Sequence, residues 1–207
     1  MIERSYTRYQ SGEPHRQYTF LYPAGWKVRE ITEDGYVGTY IAGPRNRAGT
    51  YSVSFAVGVT RAAGQTLSET VTELLAKYRS SFSCEEVGPF STTVADAPAV
   101  EVEVAYWMPL PLNSIQPHRT VIRERNIFFR RGDQLYELRY AAPEEDYKNW
   151  LEAFHTLVGS FAFPDESPDT VLYRVVDTIV PEHVREEPPG YQAEEDQSDG
   201  ESEHDQS

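Results

Sequence analysis

The sequence predicts an α+β fold: an α/β/α sandwich built on a twisted antiparallel sheet with flanking helices. Three observations predict it. Short segments of alternating apolar and polar residues recur as far as Tyr140, separated by Gly, Pro and Asp turns. Two segments with helical spacing, 66–82 and 143–159, interrupt and close that series. Among 207 residues, 39% are hydrophobic, with 14 Tyr and 9 Phe, which is enough to bury a core.

Taken in order, residues 1–17 are polar, include Gly12 and Pro14, and read as a loose arm. Tyr18 to Tyr22 is a short strand stopped by Pro23-Ala24-Gly25. Strands follow at 26–31 and 36–42 around Asp34-Gly35, and the tight turns make these three segments expected antiparallel neighbours. After the loop 43–49, residues 51–59 alternate, which places Tyr51, Val53, Phe55, Val57 and Val59 on one core face. Thr66 and Glu69 have the spacing of a capping box, and Leu67, Val71, Leu74, Leu75 and Tyr78 form an apolar helical stripe. Lys77 and Arg79 suit the negative end of that helix.

Strand composition returns from Cys84 to Ala95, broken at Gly88-Pro89. In 100–106 the valines alternate with Glu101 and Glu103, so the valines are expected inward and the glutamates outward. Segments 119–131 and 134–140 meet at Gly132-Asp133, a hairpin turn. The second helix starts at Pro143 with Glu144, Glu145 and Asp146 against its positive end. Its stripe is Tyr147, Trp150, Leu151, Phe154 and Val158, and Gly159 is the expected stop. In 168–180 apolar pairs recur every four residues, which suits a helix packing back on the body, while the β-branched content equally suits a strand. From Pro181 onward the composition is that of a disordered acidic tail. Four segments are thus expected: the arm 1–17, a folded domain 18–163, a packed extension 164–180 and the tail 181–207.

Charge and cysteine content narrow the function. The tail carries ten acidic residues against Arg185, leaving −5 of the formal −14 on the preceding 180 residues. An acidic surface repels phosphate backbones, so nucleic acid is not an expected partner. No apolar run reaches the length of a membrane span. Cys84 is the single cysteine, and the stretch from Met1 to Tyr9 is polar, so a cytoplasmic location is expected.

Phe20-Leu21-Tyr22-Pro23-Ala24-Gly25-Trp26 is similar to the apolar-strand, Pro-x-Gly-Trp opening of the PsbP-like family. That fold group includes the DcrB-type lipoproteins and the Ran-binding Mog proteins. The segment 67–82 stands where the family has its first long helix. Leu135-Tyr136-Glu137-Leu138 through Trp150 to Gly159-Ser160-Phe161 resembles its closing strand, helix and Ser-Phe pair. The likeness spans residues 18–163 and implies a non-catalytic module, since plant members are extrinsic subunits of photosystem II. No metal-binding or protein-binding position of the family transfers onto a residue here. The acidic tail and the 106–119 segment depart from the family pattern and argue against a photosystem role.

The residues that could carry chemistry form no recognisable catalytic set. His15, His118, His155, His183 and His204 have no metal-ligand spacing, and Glu152 with His155 supplies half of a di-iron pattern whose other half is missing. Nucleophile elbows, phosphate loops and dinucleotide fingerprints are absent. Cys84 has no local activating pattern. Glu85/Glu86 and Glu144/Glu145 read as solvated charge. No cofactor, metal or catalytic residue is therefore expected.

Segment 106–119 stands apart. It joins two strands with about a dozen residues, three of them Pro, and carries Trp107, Met108, Leu110, Leu112 and Ile115. It is either a contact surface or a cover for the open end of the sandwich. Arg45 and Arg47 in one loop, with Arg123, Arg125, Arg130 and Arg131, could gather into an acidic-partner patch, or pair with Glu101 and Glu103 across the sheet. The expected function is a non-catalytic protein–protein interaction module, with Trp107, Met108, Leu110, Leu112, Ile115, Arg45 and Arg47 as candidate contacts. The alternative is a carrier holding a small apolar molecule in an aromatic cleft between sheet and helix.

Overall fold

The structure, a computed structural model, describes residues 4–12, 17–33, 36–62, 64–112 and 114–164. The segments 168–180 and 181–207, expected to pack back and to be disordered, lie outside the described residues. The strands are β1 (Tyr6–Gln10), β2 (Thr19–Pro23), β3 (Lys27–Glu33), β4 (Tyr36–Arg45) and β5 (Ser52–Arg61), followed by the helix α1 (Leu67–Ser81). Then come β6 (Cys84–Val94), β7 (Ala97–Leu110), β8 (His118–Arg131), β9 (Gln134–Pro143) and the helix α2 (Glu144–Ser160). Seven strands form one antiparallel sheet in the order β3-β4-β5-β9-β8-β7-β6, and β1 pairs with β2 in a separate ribbon.

Three expectations change here. Residues 6–10 of the supposed loose arm form β1, because Tyr6 and Tyr9 find apolar neighbours in the core. The β2 strand is not a neighbour of β3, for its ladder is with β1 and its Leu21 amide donates to Ser160 Oγ at 2.8 Å. Turn chemistry dictates a reversal but not the partner, and here β1 and the end of α2 outcompete β3. Tyr51 precedes β5 and packs with the opposite core from Val53, Phe55, Val57 and Val59.

The two helices cover opposite faces of the sheet. Under α2 lies the larger core, where aromatic rings stack: Phe129 on Tyr136 at 5.0 Å, Tyr140 on Tyr147 at 4.8 Å, and Tyr18 on Phe161 at 5.5 Å. The aromatic space beneath this helix is thus filled by protein rings. The Pro23-to-Trp26 segment folds Trp26 between Phe55 and Trp150, at 4.8 and 5.0 Å. Gly43 permits this, since a β-carbon there would meet the Trp26 ring at 2.6 Å.

Under α1 lies a smaller cluster that includes Val71, Leu75, Val102, Val104, Ile122 and Phe128. Thr66 and Glu69 form the capping box, side chain to backbone in both directions. The α2 helix begins after Pro143 and runs through Gly159 to Ser160, one residue beyond the expected stop. Its acidic first turn suits the N-terminal end of the dipole.

Candidate interaction face

The β7 and β8 strands are 14 residues each, longer than the sheet that α2 can roof. Alternation puts Glu101, Glu103, Ala105, Trp107 and Pro109 of β7 on the α2 side. Opposite them on β8 stand Ile127, Arg125, Arg123, Val121 and Arg119. The helix meets this face at Glu144, Tyr147 and His155, which touch Arg123, Glu103 and Arg125.

At that boundary Glu103 gathers the neighbouring cations. Its carboxylate accepts from Arg123 Nη1 at 2.6 Å, Arg125 Nη2 at 2.9 Å and the Tyr147 hydroxyl at 2.6 Å. Arg123 also donates to Glu144 at 2.6 Å, and Arg125 pairs with Glu101 at 3.2 Å. Burial pulls the Glu103 carboxyl upward, yet the donors Tyr147, Arg123 and Arg125 outweigh it and hold the group below the ordinary carboxylate range. So the glutamates expected outward are partly covered, and the ion-pair reading of Arg123 and Arg125 holds. Arg130 donates to the Gln65 carbonyl at 2.7 Å, and Arg131 lies 3.8 Å over the Phe163 ring. Arg45, the last residue of β4, and Arg47, in the loop after it, are exposed. They stand four strands from β7, roughly 19 Å at ~4.8 Å per strand, so the structure does not gather the arginines into one patch.

Beside and beyond Glu103 the face leaves apolar side chains exposed among charged ones. Trp107 and Val121 are directly opposite each other and 39% and 41% exposed. On the edge strand β6, Val87 and Phe90 stand opposite Glu103 and Glu101 on the same face, 47% and 54% exposed. The Arg119 guanidinium sits 5.0 Å over the Trp107 ring. Around the end of β6, Phe82, Trp107 and Pro109 line an open depression of about 500 Å³ with Arg79 and the serines that follow it.

The 106–119 segment needs correcting. It is not one loop: β7 continues to Leu110 and β8 begins at His118, leaving 111–117 as the connection. Leu110 is buried and Met108 half-buried, both in the α1-side cluster. They belong to the core. Leu112 and Ile115, in the connection, are exposed, and Trp107 faces the other side of the sheet. The strand alternation therefore divides the segment between core and exposed surface. Sequence reasoning missed Val87, Phe90 and Val121. A Glu-rich neighbour and a proline break made 84–95 look like an ordinary strand, and nothing local says which of its residues lacks a roof.

Other candidates are placed plainly. His155 is exposed and lies 3.2 Å from Arg125 through Nε2. Burial and the adjoining Glu86 push the Cys84 thiol up, away from the thiolate a nucleophile needs. Among the described residues, no group of three or more His, Cys, Asp or Glu could hold a metal ion, and no helix is long and apolar enough to cross a membrane.

No protein-family model and no curated protein matches this chain. Among solved structures, LpqN of Mycobacterium tuberculosis, described as involved in cell envelope biogenesis, aligns with a TM-score of 0.52 at 9% identity, over 76% of this chain and 90% of its own. The cyanobacterial PsbP (CyanoP) of Synechocystis sp. PCC 6803 aligns with a TM-score of 0.49 at 13% identity, over 78% of this chain and 94% of its own. PA94 of Pseudomonas aeruginosa, a protein of unknown function, aligns with a TM-score of 0.46 at 12% identity, over 72% and 91%. At these identities the likeness is one of fold, and the α+β architecture implied by the sequence is the one observed.

Proposed function

We propose that this chain is a non-catalytic accessory module that docks a protein partner on the open β6–β7–β8 face. One observation carries the reading: Val87, Phe90, Trp107 and Val121 are large apolar side chains left exposed together on one face of the sheet. Scattered exposed apolar residues need no explanation, but an exposed Trp paired with Val121 and stacked by Arg119, with Val87 and Phe90 further along the same face, has the composition of an interface core. Leu112 and Ile115 extend it at the hairpin tip. The formal charge of −14 makes nucleic acid an unfavourable partner. LpqN, which shares the fold, is described by its part in envelope biogenesis rather than by a reaction.

The test separates contact from core. Trp107→Ser with Ile115→Ser leaves both core clusters intact, since neither side chain belongs to them, so the melting temperature falls by no more than a few degrees. The same pair abolishes capture of the partner from source-cell lysate, read by mass spectrometry. Leu110 is unsuitable for this purpose, since it supports the core. Retention of every specific partner by the double variant would remove the face from consideration.

A further inference from the structure

A second region is polar where the fold would favour apolar residues. On the side of the sheet facing α1, β8 presents Glu124 and Asn126, and β9 presents Glu137 and Arg139. The register sets Asn126 opposite Arg139, and Phe128 opposite Glu137. Directly opposed side chains leave β-carbons about 5 Å apart, so these groups form one strip.

Their hydrogen-bonding differs sharply. Glu124 is buried and fully engaged: Tyr106 Oη donates to Oε1 at 2.7 Å, and the Tyr78 hydroxyl donates to Oε2. Asn126 is 0% exposed, yet neither its Nδ2 nor its Oδ1 has a hydrogen-bond partner. Arg139 and Glu137 are half-buried, and no hydrogen bond or ion pair joins either of them to another described residue. Burial pushes the Glu137 carboxyl up against the lowering pull of Arg139, which in turn feels the charges of Glu124 and Glu137.

An unpaired buried amide costs about 1–3 kcal/mol, and folded proteins retain few of them. The strip also has an approach. The α1 helix packs chiefly on β6, β7 and β8, whereas on the other flank Ala56 and Gly58 of β5 stand beside Arg139 and Glu137. That flank carries the half-buried Tyr36, Tyr40 and Tyr51, with the Tyr36 ring laid over Gly58 and Arg139 and Glu137 left partly exposed beside it.

We infer that the strip of Asn126, Glu137 and Arg139 beside α1 binds a small carboxylate that bears an adjacent hydroxyl or amino group. The uncommitted donors are the guanidinium fork of Arg139 and the Asn126 amide nitrogen, and a planar carboxylate matches the fork with two parallel bonds. Asn126 Oδ1 accepts from a donor, which a plain carboxylate lacks and a 2-hydroxy or 2-amino acid supplies. Glu124 contributes negative charge nearby, but its oxygens are already turned to Tyr78 and Tyr106. This inference is independent of the open face on the other side of the sheet.

The experiment is a titration of the full chain followed by NMR, watching the Asn126 side-chain amide and the Arg139 Nε resonances, with lactate, alanine, acetate and inorganic phosphate as separate probes. Saturable shifts with lactate or alanine, at least tenfold tighter than with acetate, are expected. Arg139→Gln, and also Arg139→Lys, which keeps the charge but loses the fork, weaken that binding about tenfold or more. Should one variant fail to fold, the other and the parent titration still decide. Equal responses to acetate and lactate would overturn the role of Asn126. A response to phosphate alone, or none to any probe at tens of millimolar, would overturn the site.

Discussion

Replacing Glu103 by alanine is expected to lower the unfolding free energy by about 2–3 kcal/mol, measured by urea denaturation. The carboxylate is the shared acceptor for Arg123, Arg125 and the Tyr147 hydroxyl, and its side chain is 12% exposed. Removing it strands three donors at the edge of α2. The loss falls short of a fully buried broken pair, because Arg123 keeps Glu144 and Arg125 keeps Glu101. The same group gives a pH dependence of definite sign. Its folded value lies below the ordinary carboxylate value, so its contribution is complete above about pH 4.3 and fades as pH falls through the lower folded value. The stability gap between the parent and Glu103→Gln therefore narrows toward about pH 3. A gap that stayed constant with pH would mean that Glu103 gains nothing from its cations.

Asn126→Leu is expected to do the opposite and raise stability by about 1–3 kcal/mol, or roughly 2–4 °C in melting temperature per kcal/mol. Its amide is 0% exposed with both polar atoms unpaired, so an apolar side chain of similar size escapes the desolvation cost. Val102, directly opposite on β7, and Phe128, two residues on, give the new side chain apolar contacts. The variant should become more stable and lose the response to lactate or alanine, the trade expected where a binding group is held at the expense of the fold. A lower melting temperature would show that the amide is satisfied in solution.

How much of this was legible in the sequence follows the range of the interactions involved. The capping box of Thr66 and Glu69 and the hairpin at Gly132-Asp133 are decided within a few residues, and both appear where expected. Pairing partners are decided at long range: the turn at Pro23-Ala24-Gly25 was visible, but the choice of β1 over β3 was not. Pro109 made 106–119 resemble a loop. It sits beyond Tyr106, the last β7 residue paired with β6, so only β8 adjoins it and its missing N–H spoils no bond on the open side. The apolar content of the candidate face was half visible, in Trp107, Leu112 and Ile115. The rest depended on where α2 ends in space. Asn126 was invisible for the same reason, since one asparagine among Arg123, Glu124 and Arg125 looks solvated until the register shows what covers it.

The unequal cores have a kinetic meaning. The α1 helix is anchored by two buried residues, Val71 and Leu75, whereas α2 buries Tyr147, Ala153, Phe154 and Leu157 within the larger aromatic cluster. Local opening free energies scale with such anchoring. In deuterium exchange the amides of α1 should therefore lose protection first, as one unit, while those of β5, β9 and α2 exchange only on global unfolding. During that partial opening the molecule would remain folded around its aromatic layer with the floor around Asn126 uncovered, so that small solutes reach it far more often than the whole chain unfolds.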